Sequence, residues 1–205
     1  DLNSNALTNF PITDALTNLM ILDLFDNHLS SFALQNSLRN LGILDVAYNS
    51  LAAFSLPAGM TNLNTLFLEH NGLTNLNLPA GLSKLTQLDL SSNQLSELTL
   101  PPDLTALASL FVDGNPLTTV VLPETLANGS LATTVGTLQN QGVPVFIYPL
   151  AVQLLRPRPL TGAFQFGVAG PPGVYVVLGS TNLSSWNQVG IASNPLGAIS
   201  FVDTN

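Results

Sequence analysis

The sequence contains no cysteine and few charged residues, and both absences exclude classes of function. Without cysteine, the chain has neither disulfides nor thiolate metal sites. Only 8% of its residues are charged, and four Lys and Arg stand against twelve Asp and Glu. Nucleic acids and anionic membrane surfaces are bound by clustered basic side chains, so this composition argues against both partners. No apolar run approaches the ~20 residues of a membrane helix, so we do not expect membrane insertion.

Motifs of catalytic chemistry are also missing. The sequence has no Gly-x-Ser-x-Gly, no His-Glu-x-x-His and no glycine-rich phosphate loop. It has two histidines, His28 and His70, which lie on opposite sides of the recurring asparagine described below. Glu69 precedes His70 directly, and a strand would point these neighbouring side chains to opposite faces. We therefore predict no enzymatic activity, no cofactor and no metal site.

What the sequence does contain is a repeat. One unit reads Leu19-x-x-Leu22-x-Leu24-x-x-Asn27-x-Leu29, and four later units keep the same spacing, two of them with valine at the third leucine. The recurring asparagines, which are evenly spaced along the chain, are Asn5, Asn27, Asn49, Asn71, Asn93 and Asn115. This frame resembles the leucine-rich repeat of bacterial proteins with 22-residue units. The resemblance implies a solenoid that serves as an interaction scaffold.

The chemistry of each unit explains the spacing. Leu-x-Leu forms a short strand whose leucines point inward, and strands of successive coils pair in parallel. The asparagine then enters the interior, where its amide satisfies backbone groups of its own and the neighbouring coil. On the other side of each coil, stretches such as Leu76-Asn-Leu78-Pro79-Ala-Gly81 alternate and then turn. We expect an extended and 3₁₀ convex side, because a unit this short leaves little room for a longer helix.

The repeat ends near residue 124, which divides the chain into three parts. Residues 124–141 space their apolar side chains at helical intervals, and Gly142 fits a helix stop, so we predict one C-terminal capping helix. A closing strand over 143–148 completes a solenoid domain of residues 1–148. Residues 149–160, rich in proline, are predicted to be a linker or an edge segment. Residues 161–205 are predicted to form a small antiparallel β module.

The module contains four short β runs, Ala163–Val168, Val174–Leu178, Trp186–Ile191 and Ala198–Val202. The stretch from Val174 to Trp186, followed by Phe201-Val-Asp203, resembles a small β module of secreted proteins from Verrucomicrobia-like bacteria. Such modules continue with an aromatic, basic strand that is not found here. The module is therefore either truncated or a looser relative, and at about 45 residues it is near the lower limit for folding alone.

Residues that alternate with the inward leucines form the concave face, which is the candidate binding surface. They are Phe25, Asp45, Tyr48, Phe67, Glu69, His70, Asp89, Phe111 and Asp113. Aromatic side chains on a rigid sheet bind with little loss of entropy, and interspersed acids suit a basic or polyhydroxylated partner. The alternative for the aspartates is that they are ordinary repeat residues on a solvated face. We predict an extracellular, non-catalytic interaction or adhesion scaffold that binds a protein or a glycan.

A second hypothesis concerns the ends of the solenoid. The first coil has no polar cap, so Leu2, Leu7 and Phe10 would line an open end. If the β module of another copy covered this end, the contact would be head-to-tail and would propagate as a filament or surface polymer. The alternative is that the first coil is open only because the sequence was cropped or cleaved there. The composition, poor in Lys and Glu and rich in Asn, Thr, Ser and Leu, is typical of a bacterial surface or secreted protein.

Overall fold

The computed structural model describes residues 1–13 and 15–203 and is mostly β-structure with two short helices. The elements of the repeats are β1 (Ile21–Asp23), β2 (Ile43–Asp45), β3 (Thr65–Phe67), β4 (Gln87–Asp89), β5 (Glu97–Thr99), β6 (Ser109–Phe111), β7 (Thr119–Pro123), α1 (Glu124–Ala127), α2 (Ala132–Asn140) and β8 (Val145–Tyr148). They are followed by β9 (Gln153–Leu160), β10 (Ala163–Ala169), β11 (Gly173–Gly179), β12 (Asn187–Asn194) and β13 (Ala198–Asp203).

A five-stranded parallel sheet runs through the repeats in the order β1-β2-β3-β4-β6. Its register follows the sequence period, so that Leu22 pairs with Leu44 and Leu66 pairs with Leu88. The middle residue of each strand is buried in the leucine core, while the residues on either side are at least partly exposed. Each Leu-x-Leu therefore contributes its leucines to the core and its flanking residues to the outward face of the sheet, which we call the strand face.

The asparagine side chains link successive repeats through the backbone. Oδ1 of Asn93 accepts a hydrogen bond from Leu73 N in the preceding repeat at 3.0 Å. Its Nδ2 donates to Leu68 O at 2.9 Å and to Leu90 O at 3.0 Å. The other asparagines between Asn27 and Asn115 accept and donate in the same way, one repeat apart. The leucine core is thus crossed by a ladder that satisfies backbone groups at every turn.

The opposite side of the repeats is extended, but it contains no 3₁₀ helix among the described residues. A second parallel sheet forms only towards the end, in the order β5-β7-β8. In place of the expected 3₁₀ helices, single turns close with one bond from residue i+3 to residue i, as from Leu85 N to Leu82 O. Gly59 and Gly81 adopt φ of 88° and 97° just before such turns, which stops a helical run from starting there.

The predicted single helix over 124–141 is interrupted into α1 and α2. Asn128, Gly129 and Ser130 separate the two, and these residues favour turns over helix interiors. A Cβ at Gly129 would lie only 2.5 Å from Thr125 O, so this tight corner accepts glycine alone. Helix α2 buries Val135 and Leu138 against the end of the leucine core.

The C-terminal strands pair antiparallel in two layers. One sheet has the order β13-β10-β9 and the other is the ribbon β11-β12. Because β9 pairs with β10, Gln153–Leu160 is an edge strand and not a linker. The module is anchored to the repeats at Gly197, which packs against the buried Tyr148. The parallel sheet and the small helix content fit a repeat fold, and no helix in the described ranges is long and apolar enough to cross a membrane.

Candidate functional site

The strand face carries four of the nine predicted binding residues, Asp45, Phe67, Asp89 and Phe111. The other five follow the strands, which end sooner than the alternating pattern predicts. Strand β3 stops at Phe67, and His70 adopts a left-handed φ of 52°. Asp26 and Tyr48 have the same conformation in the two preceding repeats. The expectation that Glu69 and His70 point to opposite faces of one strand is therefore wrong, because these residues lie in a tight turn. This turn also brings the asparagine that follows it into the core.

Three rings form a continuous row along these turns, which we call the aromatic row: Phe25, Tyr48 and His70. The ring centroids of Phe25 and Tyr48 are 5.1 Å apart, and those of Tyr48 and His70 are 4.1 Å apart and nearly parallel. Tyr48 remains 44% exposed. Ala47, which the pattern places on the surface, is fully buried. The aromatic row joins three successive repeats into one apolar surface that is open to solvent.

The aspartates of the strand face stabilise the backbone where the chain leaves each strand. The Oδ1 atoms of Asp23, Asp45 and Asp89 each accept a hydrogen bond from the backbone N–H two residues later, at 3.1, 3.0 and 2.9 Å. These bonds hold the chain as it leaves the strand. The alternative that these aspartates are ordinary repeat residues explains the three positions without a ligand. The remaining carboxylate oxygens still contribute negative charge to the surface.

Phenylalanine replaces this aspartate in two repeats. Phe67 and Phe111 align with Asp89, which lies between them in the register of the sheet. Phe67 is half-buried, while Phe111 is 42% exposed at the edge of a cavity of about 140 Å³ beside helix α2. Neither phenylalanine is needed for the turn, so their presence on the strand face favours contact with a partner. Asp113 is exposed near the same edge.

Glu69 is the most perturbed acid of this face. Its Oε2 is buried and has no hydrogen-bond partner among the described residues. The pKa of Glu69 is raised to about 7 from an ordinary value of 4.5. Burial is the largest cause and the carboxylates of Asp89 and Asp45 add to it, while a backbone hydrogen bond opposes the change. Burial likewise raises the pKa of Asp45. Around neutral pH, this part of the face therefore accommodates a buried proton or an approaching cation.

The raised pKa of Glu69 predicts a pH-dependent stability. The folded protein keeps the proton up to about pH 7, whereas the unfolded chain releases it near 4.5, so stability falls as the pH rises through this window. Replacing Glu69 with Gln removes this loss of stability, because glutamine does not ionise. Since solvent screens a half-exposed carboxyl, we expect Glu69→Gln to raise the free energy of unfolding by about 1 kcal/mol at pH 8 and to change it little at pH 4. Urea unfolding of both proteins at the two pH values measures the change in the free energy of unfolding. An equal change at pH 4 and pH 8 would contradict the raised pKa of Glu69.

The residues predicted to form an end-to-end contact lie at the other end of the repeats. Leu2, Leu7 and Phe10 are half-buried and pack against the leucine core. Asn5 donates to Leu2 O and Asn3 O within its own turn. A contact between copies at this end remains a prediction.

Phe25 occupies a different position in its repeat from Tyr48 and His70, which occupy equivalent positions, so the sequence pattern did not reveal the contact between Phe25 and Tyr48. Phe25 and Tyr48 are separated in the chain by one repeat plus one residue. That offset brings rings together only because the turn is left-handed at position 48. A bulky aromatic residue immediately before the recurring asparagine is the signal that could have revealed it.

Comparison with known proteins identifies the repeat. Residues 84–107 match the family model for the leucine-rich repeat. No curated protein matches the chain. The match and the regular register of the parallel sheet together support a leucine-rich-repeat protein, a class whose domains generally mediate protein–protein interaction.

Proposed function

We propose that this protein is a non-catalytic extracellular scaffold that binds a partner protein on its strand face, in an interaction or adhesion role. The aromatic row beside Glu69 is the observation that carries the proposal. A row of three rings left open to water is costly unless it is covered part of the time. The same region holds a carboxyl group with an unpartnered, buried oxygen. Both features are explained by a ligand that brings apolar surface and positive charge together.

The chemistry of the face indicates a basic segment. A Lys or Arg side chain can lie over the ring of Tyr48, where the π-electrons attract a cation. Its charged end can then reach Glu69, whose carboxylate becomes stabilised by the new partner. Asp45 and Asp89 add negative charge in the neighbouring repeats. Phe67 and Phe111 extend the contact towards helix α2, so an elongated partner would lie across several strands.

The proposed location follows from composition. The chain is poor in Lys and Glu and rich in Asn, Thr, Ser and Leu, as many bacterial surface and secreted proteins are. A glycan is the other class of ligand that stacks on exposed aromatic rings. The charge perturbation at Glu69 favours a basic protein segment over a neutral sugar.

Selection from a displayed library of random peptides tests the proposal. We expect the protein to enrich peptides that contain Lys or Arg beside an apolar residue. Combining Tyr48→Ala with Glu69→Gln should weaken their binding about tenfold or more, because buried aromatic and charged contacts dominate such interfaces. Fluorescence anisotropy with the enriched peptides measures the change.

A matched double variant makes the test specific. Glu97→Gln removes one exposed carboxylate from strand β5, and Trp186→Ala removes an exposed ring from the C-terminal module. This pair should leave peptide binding unchanged. If the enriched peptides bind both double variants equally, or if none carries a basic residue, the strand face is not the binding surface proposed here.

A further inference from the structure

A second groove lies on the C-terminal module, away from the strand face. It has a volume of about 550 Å³ and follows the face of the β13-β10-β9 sheet that points away from the ribbon β11-β12. The opposite face is the one covered by the ribbon, because Gly190 sits against the ring of Phe201. The apolar side chains of Leu155 and Ala198 line the groove on this outward face.

Two of the four basic residues of the chain, Arg156 and Arg158, line this one groove. Residues 1–148 carry eleven Asp and Glu against two basic residues, whereas residues 149–205 carry one acid against these two arginines. That acid, Asp203, aligns with Phe164 and shares the ribbon-facing side with Phe201, two residues away. Positive charge is therefore concentrated in the groove of a chain whose formal net charge is -8.

The backbone is arranged to place both arginines there. Leu155 aligns with Gly167 and Arg158 with Gln165, so β9 has one residue more than β10 at this point. This bulge puts Leu155 and Arg158 on the same face, although their odd-numbered separation would place them on opposite faces of a regular strand. Within the bulge, Arg156 adopts a left-handed φ of 47°. Such a conformation is disfavoured for arginine and recurs at functional sites.

The guanidinium of Arg158 is held in place by a relay of side chains. Its Nε donates to Gln165 Oε1 at 2.8 Å, and Gln165 Nε2 donates to Ser200 Oγ at 2.7 Å. Nη2 also donates to Gln165, which leaves the hydrogens of Nη1 for a ligand. No side-chain partner is found for Arg156 within the described ranges. Among the described residues that line it, the groove thus has two cationic donors and no carboxylate.

We propose that this groove is a second interaction site, which binds an extended acidic segment of a partner protein. Its carboxylates would pair with Arg156 and Arg158, and its apolar side chains would cover Leu155 and Ala198. Charge complementarity favours a carboxylate-bearing segment, since guanidinium groups bind carboxylates through paired hydrogen bonds. A nucleic acid is disfavoured because the surrounding chain is acidic and would repel its phosphates.

Fluorescence anisotropy with the full chain and a labelled hexaglutamate peptide tests this at low ionic strength, where such contacts are least screened. We expect binding that is about tenfold or more weaker in Arg156→Gly and in Arg158→Gln. Hexaglutamine should not bind. Glycine accepts the backbone conformation of residue 156, so Arg156→Gly should lose affinity without a lower melting temperature. This outcome separates a binding role from a purely structural one.

Arg39→Gln is the matched control, because it removes the same charge from an exposed site in the repeats. It should leave hexaglutamate binding unchanged. The proposal is overturned if hexaglutamate does not bind, if Arg39→Gln weakens binding as much as the groove variants, or if a labelled oligonucleotide binds more tightly. It is also overturned if free glutarate binds as tightly as the peptide. The wild-type chain could also sediment as an oligomer that the Arg156→Gly substitution dissociates. In that case the segment in the groove belongs to a second copy of this chain and not to a different protein.

Discussion

Replacing Asn93 with Ala is expected to lower the free energy of unfolding by about 4 kcal/mol. The side chain is only 1% exposed, and it bridges two repeats through both of its polar atoms. Its loss leaves Leu73 N without its acceptor in a buried position, and the carbonyls of Leu68 and Leu90 each lose one of two donors. The leucines that surround Asn93 have no polar side-chain atom that could take over.

The first asparagine of the ladder is the control for this prediction. Asn5 is exposed and donates only within its own turn, so Asn5→Ala should cost about 1 kcal/mol or less. Urea unfolding followed by circular dichroism compares the two variants. Equal losses would mean that the ladder stabilises each turn separately and does not link one repeat to the next.

Replacing Gly197 with Ala is expected to have the second largest effect, a loss of about 3 kcal/mol. Gly197 adopts φ of 90°, which an L side chain disfavours. A new Cβ would also lie 2.6 Å from the Cβ of Tyr148. Tyr148 cannot move aside, because it is fully buried and its hydroxyl donates to Leu100 O at 2.7 Å. The substitution should therefore loosen the C-terminal module from the repeats.

Gly162→Ala separates the two causes. Gly162 lies in the same module with φ of 68°, but a Cβ there meets no atom within 4 Å. This variant carries the backbone strain alone and should cost about 1 kcal/mol. Urea unfolding measures both losses, and limited proteolysis should cleave the C-terminal strands faster only in Gly197→Ala. If the two alanines cost the same, the packing of Gly197 on Tyr148 does not hold the module in place.

The strands of the repeats could be located from the sequence because every repeat uses the same frame. Leu-x-Leu demands a short strand in each unit, and the strands lie where that spacing places them, from β1 at Ile21–Asp23 to β6 at Ser109–Phe111. The β runs after residue 160 were also visible from their apolar residues and turns. The bounds of the helices were harder to predict, because the spacing of Leu126 and Leu138 indicates a helical face but not the break at Gly129.

The candidate surface was predicted less well than the fold. Alternation describes side chains only within a strand, and these strands are very short. Beyond them, a left-handed turn decides where Tyr48 and His70 lie, and it brings their rings together. The buried, unpartnered oxygen of Glu69 depends on packing between repeats. The groove at Arg156 depends on a bulge that forms only when β9 pairs with β10.

The sequence by itself determined the repeat, its length and the identity of the core, because a constant period can be read without any knowledge of contacts. It also determined that positive charge is scarce, which limits the partners. Only the tertiary structure decided which side chains share a surface. Ring stacking in the aromatic row and the raised pKa of Glu69 arise between residues of different repeats. The two arginines share one groove only because β9 forms a bulge where it pairs with β10, and no local pattern encodes these arrangements.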